Sequence, residues 1–521
     1  MTRVEDDTAL AALERAAERD AAAPLLRVEQ TTVSVGEALA KVQAIAAALT
    51  AFGGTSGERV AIMSGNCEEA AWSWLGAGAA GAIDLPLNAA ARGTFLAAQL
   101  ADCTPRVLIG QAEHLDTMAE SLVEDPALVV CLQGEHDRGR FAASVQHLTF
   151  DEFLAVGRAS PAPARRPRGH ETATVLYTSG TTGASKGVMI PQRYWPVWGR
   201  RGSTLLEMTP ADVLYCVQPL FHIDARAHLQ NAVASGALAA LGLRFSASRF
   251  WDEIREHDAS LFSYIGTMLW LLYKQPESDR DRDHRVRAAP GSSTPSEIQV
   301  AFERRFGVSL REGYGMTECG YLLHATERTP PGALGDVVPE MQLALLDDHD
   351  VPVTRGSVGE ACFRPVEPFV SVQGYWNRPA DTLAASRNQW FHSGDLLVEG
   401  EDREYRYLGR KKDSIRRRGE NVSAWEVEQA ATSHPDVLEA AAIGVPSDVG
   451  EEEVALLVVL RQGSSLLPRD VLEHVAPDLP MFAAPRYVEV VDALPKTASE
   501  RIDKAAVRQR GLGAGSWDAQ A

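Results

Sequence analysis

With 521 residues, 45% apolar and 23% charged, the chain is long enough for roughly two to four structural units with large cores. A net charge of −19 argues against a nucleic-acid surface, which needs a basic face, so anionic ligands must be met by local arrangements. No apolar run of about 18 residues marks a membrane span, the charged first twenty residues (MTRVEDDTALAALERAAERD) do not read as a signal peptide, and the six cysteines lack CxxC or zinc-ligand spacing, which points to buried thiols in a reducing cytoplasm.

Over the first two thirds, short Val/Ile/Leu runs alternate with Ala-rich stretches of helical period. In chain order the pattern predicts a helix over 33–52, a strand at 59–63, a helix over 67–80, and strands at 83–87 and 106–109. An exposed loop at 157–170 (GRASPAPARRPRGH) precedes a strand at 173–178, and a second loop is expected at 275–290 (QPESDRDRDHRVRAAP). This alternation is that of an α/β protein built from stacked βαβ units with largely parallel sheets. Gly76-Ala-Gly78-Ala-Ala-Gly81 satisfies G-x-G-x-x-G, but it follows a helix and leads into a strand. The dinucleotide fingerprint needs the reverse, so the glycines read as a helix face packed closely on a neighbour. Beyond about residue 400 the texture changes: 405–417 (YRYLGRKKDSIRR) is strongly charged, followed by a helix at 423–433 and strands at 438–444 and 454–460. A small α+β domain over 411–521 is therefore expected beyond a domain spanning 1–410.

The strongest chemical signal follows the strand at 173–178. Tyr177-Thr178-Ser179-Gly180-Thr181-Thr182-Gly183-Ala184-Ser185-Lys186-Gly187-Val188 holds three glycines, four loop hydroxyls and one lysine. Glycines let backbone N–H groups curl round an anion, hydroxyls add donors, and the ammonium adds a point charge, which together make a polyphosphate cradle. It is not a Walker loop, since Ser185 rather than glycine precedes Lys186 and Gly187 follows it.

The segment resembles the signature loop of the adenylate-forming superfamily: acyl- and aryl-CoA synthetases, peptide-synthetase adenylation domains and luciferases. Proline usually stands where this chain has Ser185. Further motifs similar to the family's follow in order almost to the C-terminus. Pro219-Leu220-Phe221-His222 implies a histidine beside the acyl site, and Gly291-Ser292-Ser293 one wall of the adenine slot. Gly313-Tyr314-Gly315-Met316-Thr317-Glu318 implies an aromatic ring for adenine, a hydroxyl for phosphate and a carboxylate for Mg2+. Asp395, in Trp390-Phe391-His392-Ser393-Gly394-Asp395, is implied to accept from the ribose hydroxyls, with Arg410 beside it. Lys412 falls at the hinge about which a small mobile C-terminal domain swings, and Gly419 lines the pantetheine tunnel. The run Arg416-Arg417-Arg418 reads either as a solvated face or as a partner for CoA phosphates. The implied fold is a large N-terminal domain of several sheets, including a β subdomain, followed by that mobile domain. The implied ligands are ATP or AMP as an acyl-adenylate, coenzyme A, Mg2+ and a small carboxylic acid.

One departure bears on the chemistry. The family's last motif, P-K-T-x-[ST]-G-K-[IV], reads here Pro495-Lys496-Thr497-Ala498-Ser499-Glu500-Arg501-Ile502, so Glu500 replaces glycine and Arg501 replaces the lysine that bridges substrate carboxylate and ATP in relatives. A guanidinium is planar and larger than an ammonium, so the exchange is not conservative at a tight site. Lys496 and Lys504 flank the position without occupying it. The sequence therefore leads us to expect an acyl-CoA ligase that keeps attack of CoA on acyl-AMP and is impaired in adenylation, with a separate adenylating ligase as partner. A complete ligase, an enzyme loading a carrier protein and a non-catalytic relative are the alternatives. Trp195, Trp198, Phe262, Met268 and Trp270 read as acyl pocket or as core, and the oligomeric state is open, a homodimer included.

Overall fold

The computed structural model describes residues 3–178, 186–401, 404–417, 420–447, 452–481, 483–497, 501–513 and 515–520, without the side chains of residues 296, 297, 416, 420 and 421. Two compact units emerge, one of Met1–Gln342 with Arg364–Arg387, the other of Leu343–Phe363 with Asn388–Ala521. The sequence boundary after residue 410 falls inside the second unit, between the strand Tyr405–Arg410 and the 3-10 turn Lys411–Asp413.

The first unit is built on two large sheets. One has seven strands in the order Gln146–Thr149, Leu128–Cys131, Val107–Gly110, Arg59–Met63, Ile83–Leu87, Thr172–Thr178 and Lys186–Pro191, all parallel except the last pair. Its inner strands are almost wholly buried, as expected where helices cover both faces, with Asp84 the one charged side chain sealed among them. The second sheet has ten strands, parallel through Ala288–Ser292, Leu261–Phe262, Val213–Cys216 and Leu238–Leu241, with antiparallel hairpins at both ends.

Between them lie helices whose ends the sequence marks. Val35–Ala51 starts with a Ser34/Glu37 capping box, and Glu68–Ala80 stops at Gly81 with φ 75°. The glycines inside the second helix make the close contact expected of them, since a Cβ on Gly76 would stand 2.4 Å from Ile45 Cγ2. The loop expected from residue 157 starts later, because Phe150–Ala159 is helical. Gly157 is there for packing rather than turning: its Cβ would lie 1.9 Å from Ala44 O. Likewise the loop expected to reach 290 gives way to the strand Ala288–Ser292.

Trp195, Trp198, Phe262 and Met268 are core, at 4% exposure or less, and Trp270 packs against that core. Trp195 stands edge-on to Trp74 with centroids 4.9 Å apart, and Trp198 Nε1 donates to Val370 O at 2.9 Å. All six cysteines are buried and unbridged. Among the described residues, no helix is long and apolar enough to cross a membrane.

The second unit opens with a four-stranded sheet, Met341–Leu346, Val358–Pro365, Phe391–Glu399 and Tyr405–Arg410. A hairpin, Ser414–Arg417 with Glu420–Ser423, leads to the helix Ala424–Thr432 and a mixed sheet of Val437–Pro446, Glu452–Leu460, Tyr487–Val490 and Trp517–Asp518. The charged stretch 405–417 is thus two strands around a 3-10 turn. Arg417 itself departs from the solvated-face reading: it is 4% exposed, pairs with Glu453 at 2.5 Å and donates to Ala484 O at 2.8 Å.

Candidate active site

Chemistry-bearing side chains gather in the first unit where the hairpin Thr172–Thr178/Lys186–Pro191 closes. Thr178 and Lys186 face each other across it. Lys186 Nζ donates to Asp381 Oδ1 at 3.0 Å and lies 5.1 Å from the centroid of the Tyr375 ring. Tyr375 OH donates in turn to Glu318 Oε1 at 3.1 Å, so the cradle lysine and the candidate metal carboxylate are linked through one phenol. Glu318 is 5% exposed and sits with Thr317 in the tight turn between the antiparallel strands Ser309–Met316 and Gly320–His324. That turn tolerates no side chain at Gly315, whose Cβ would lie 1.9 Å from Gly320 O. Tyr194 OH, donating to Thr317 O at 3.1 Å, holds it from below.

His222 is the N-cap of the helix Ile223–Ser235, half-buried, with its ring 4.7 Å from that of Phe221. The preceding turn is braced by two buried side chains. Asn66 Oδ1 accepts from Leu220 N at 2.9 Å while its amide donates to Gln218 O and Gly242 O. Arg226 Nε donates to Leu220 O at 2.6 Å, and the same guanidinium pairs with Asp84 on the seven-stranded sheet. Both partners are sealed from water, at 3% and 0% side-chain exposure. Burial pushes the Asp84 carboxyl above its ordinary range, opposed by the Arg226 charge.

Gly291 and Ser292 end the strand Ala288–Ser292, and Ser293 takes φ 60° just beyond it. Parallel to it run Gly313, Tyr314, Gly315 and Met316, with Tyr314 8% exposed. Between them Glu312, 9% exposed, accepts from Thr294 N at 3.2 Å. Burial, against hydrogen bonds from Thr294 and Ser293, raises its carboxyl to about 7. The folded protein therefore holds a proton at Glu312 that the unfolded chain releases near 4.5, the ordinary value of a glutamate. Stability from this group is lost as pH rises from 4.5 to about 7, and the cost is constant above that. Glu312→Gln keeps an acceptor and removes the charge. Its urea midpoint relative to the parent is expected to rise between pH 5 and pH 8, by up to about 3 kcal/mol of stability. A difference independent of pH would refute the assignment.

In the second unit, Asp395 and Arg410 are paired across neighbouring strands, Arg410 Nε lying 2.9 Å from Asp395 Oδ1. Gly394, just before Asp395, takes φ 72° where the strand Phe391–Glu399 shifts register against Val358–Pro365, and Gly394 N donates to Glu360 Oε1 at 3.0 Å. Glu360 also receives Lys411 Nζ at 3.1 Å and faces His392 Nδ1 at 3.3 Å. Burial raises its carboxyl, but the Lys411 and His392 contacts prevail and leave it below the usual range. Glu360, Cys362 and His392 bring ligand-type atoms within 4.8 Å of one another, though the Lys411 ammonium already balances the carboxylate. Lys412 lies in the 3-10 turn Lys411–Asp413, whose Asp413 pairs with Arg508 at 2.6 Å. Arg501 is exposed, and its peptide bonds back to Thr497, Thr497 N donating to Arg501 O at 2.7 Å. Neither flanking lysine is at liberty: Lys496 pairs with Glu439, and Lys504 with Glu428 at 2.7 Å. Ser179, Gly180, Thr181, Thr182, Gly183, Gly419 and Glu500 lie outside the described residues.

A family model for AMP-binding enzyme matches residues 13–376, and one for AMP-binding enzyme C-terminal domain matches residues 426–501. The chain belongs to the AMP-binding enzyme family. It is 29% identical over 461 residues to a crotonobetaine/carnitine–CoA ligase of Salmonella typhimurium, covering 86% of this chain and 87% of that one. In fold it is similar to an anthranilate CoA ligase solved with anthranoyl-AMP, with a TM-score of 0.88, 24% identity and 98% of each chain covered. A benzoate CoA ligase from Burkholderia xenovorans gives a TM-score of 0.84 at 23% identity, covering 96% of this chain and 99% of that one.

Within this family fold, sequence motifs singled out Lys186, Glu318, His222, Asp395 and Arg410 but not the side chains that hold them. Asp381, Tyr375, Asn66, Asp84, Arg226 and Glu360 escaped notice. Only Glu360 stands near a motif residue through an element that alternation could have exposed, the strand Val358–Pro365 beside Phe391–Glu399.

Proposed function

We propose that this member of the AMP-binding enzyme family is an acyl-CoA ligase that forms thioester from a preformed acyl-adenylate and is impaired in making that adenylate. In the step it keeps, the CoA sulfur attacks the acyl carbonyl carbon. A C–S bond forms, the C–O bond to phosphate breaks, AMP leaves with the electron pair, and the thiol proton passes to solvent. Asp395 and Arg410 hold the ribose, Thr317 the phosphate, and His222 orients the acyl group. Lys412 is the hinge of a mobile C-terminal segment, and Gly419 lines the pantetheine path. Glu318, a buried hard oxygen donor held by Tyr375, fits Mg2+, which would neutralise phosphate oxygens when bound.

The observation that carries the proposal is the state of the cations around Arg501. Arginine stands where an ammonium is needed, and the two neighbouring lysines are already engaged with Glu439 and Glu428. The acyl-adenylate then comes from a separate adenylating ligase. That the relatives are named for carnitine, anthranilate and benzoate supports a small carboxylic acid as the acyl source.

The test offers the unmodified protein acid, MgATP and CoA in one arm, and synthetic acyl-adenylate and CoA in the other. Thioester is expected from the second arm alone. Robust acid-dependent ATP–pyrophosphate exchange would return the chain to the complete ligases, and failure of both arms would favour a non-catalytic relative.

A further inference from the structure

Lys186 is the single cation in the stretch Tyr177–Val188, and its ammonium is already met by a carboxylate of the same chain. We propose that Asp381 is a specificity-determining residue, disfavouring the polyphosphate of ATP while leaving room for the single phosphate of an acyl-adenylate. The proposal rests on the function proposed above and names a second cause for it, independent of Arg501.

The contact is built in by the backbone. Residues 373–376 are laced to the lysine strand: Met189 N donates to Gly374 O at 2.9 Å, Gln373 N to Met189 O at 2.9 Å and Trp376 N to Gly187 O at 2.7 Å. From there the chain turns into the helix Pro379–Ala385, which begins on a proline. Thr382 locks the turn, its hydroxyl accepting from Tyr375 N at 2.9 Å and donating to Arg378 O at 3.0 Å. Asp381 is thereby held with Oδ1 3.0 Å from Lys186 Nζ, the two side chains 40% and 23% exposed. An acidic residue in a first helical turn is favoured by the helix dipole alone. That accounts for a carboxylate at this position and not for its being held on the cradle lysine.

The charge argument separates the two nucleotides. A triphosphate brings several negative charges, needs the ammonium, and must displace or sit beside the carboxylate. Acyl-AMP, a mixed anhydride, brings one charge, and AMP lacks the β- and γ-phosphates, so both lose far less. Coulomb repulsion scales with the charge brought, so Asp381 weakens ATP much more than AMP.

The experiment measures MgATP and AMP affinity by titration calorimetry on the full-length protein, on Asp381→Asn and on Asp381→Ala. Both variants are expected to bind MgATP about tenfold more tightly, with AMP affinity changed by about twofold or less. The gain should shrink at high salt, because the pair is partly exposed. A gain from undetectable to measurable ATP binding counts in favour. An unmoved ratio of ATP to AMP affinity in folded variants overturns the proposal, including the case where Asp381→Ala merely lowers Tm as a lost first-turn acid would. The underlying reading fails separately: vigorous pyrophosphate exchange by the unmodified protein defeats it whatever these variants do.

Discussion

Replacing Arg501 by lysine is expected to raise acid-dependent ATP–pyrophosphate exchange by about 10²–10³-fold, the size of effect associated with one preorganised donor at a developing charge. The gain should be read as a ratio of exchange to thioester formation, so that altered expression or folding cancels. Glu500 brings a negative charge next to the same position in sequence, so Arg501→Lys combined with Glu500→Gly should exceed the single change. Lys496 and Lys504 give no relief in the parent because Glu439 and Glu428 hold them. If neither variant exchanges, the size and planarity of the guanidinium are not the obstacle.

Arg226→Ala is expected to destabilise the first unit by about 3–5 kcal/mol, because it strands a fully buried Asp84 carboxylate. An apolar pair, Arg226→Met with Asp84→Leu, should recover most of that loss in a urea titration. It should not recover acyl turnover, since Leu220 O would still lack the Arg226 N–H that fixes the turn before His222. Full recovery of both would make the pair a stability element with no bearing on the histidine. Failure of the apolar pair to regain stability would mean that the cavity, not the charge, sets the cost.

Much of the fold could be read from residue order because its signals are local. The strand Arg59–Met63 and the helix Glu68–Ala80 follow from apolar period and from the stop at Gly81. Where the reading slipped, tertiary packing overrode composition: Gly157 looked like a loop residue and is a helix–helix contact with Ala44. The run Arg416-Arg417-Arg418 could be read as a solvated face because its charges are dense, yet Arg417 is neutralised inside the second unit by Glu453. The same divide runs through the site. Lys186, Glu318 and Asp395 sit in dense, distinctive motifs. Their supports do not, because Asp381 meets Lys186 across 195 positions and Asp84 meets Arg226 across 142. Such partners are chosen by topology, and a single sequence carries no periodic trace of them.

The buried cysteines have a consequence for how the protein survives its own chemistry. An acyl-adenylate is an activated anhydride that will acylate any accessible thiolate, and six thiols travel on the same chain. Burial holds Cys67, Cys103 and Cys216 as neutral thiols, each raised to about 12. Cys103 lies 3.3 Å from the Tyr177 hydroxyl, close in sequence to the cradle lysine, and there the distinction matters most. A thiol kept protonated and out of water is a poor nucleophile, so self-acylation at these three cysteines is suppressed and the incoming sulfur meets no competition from them.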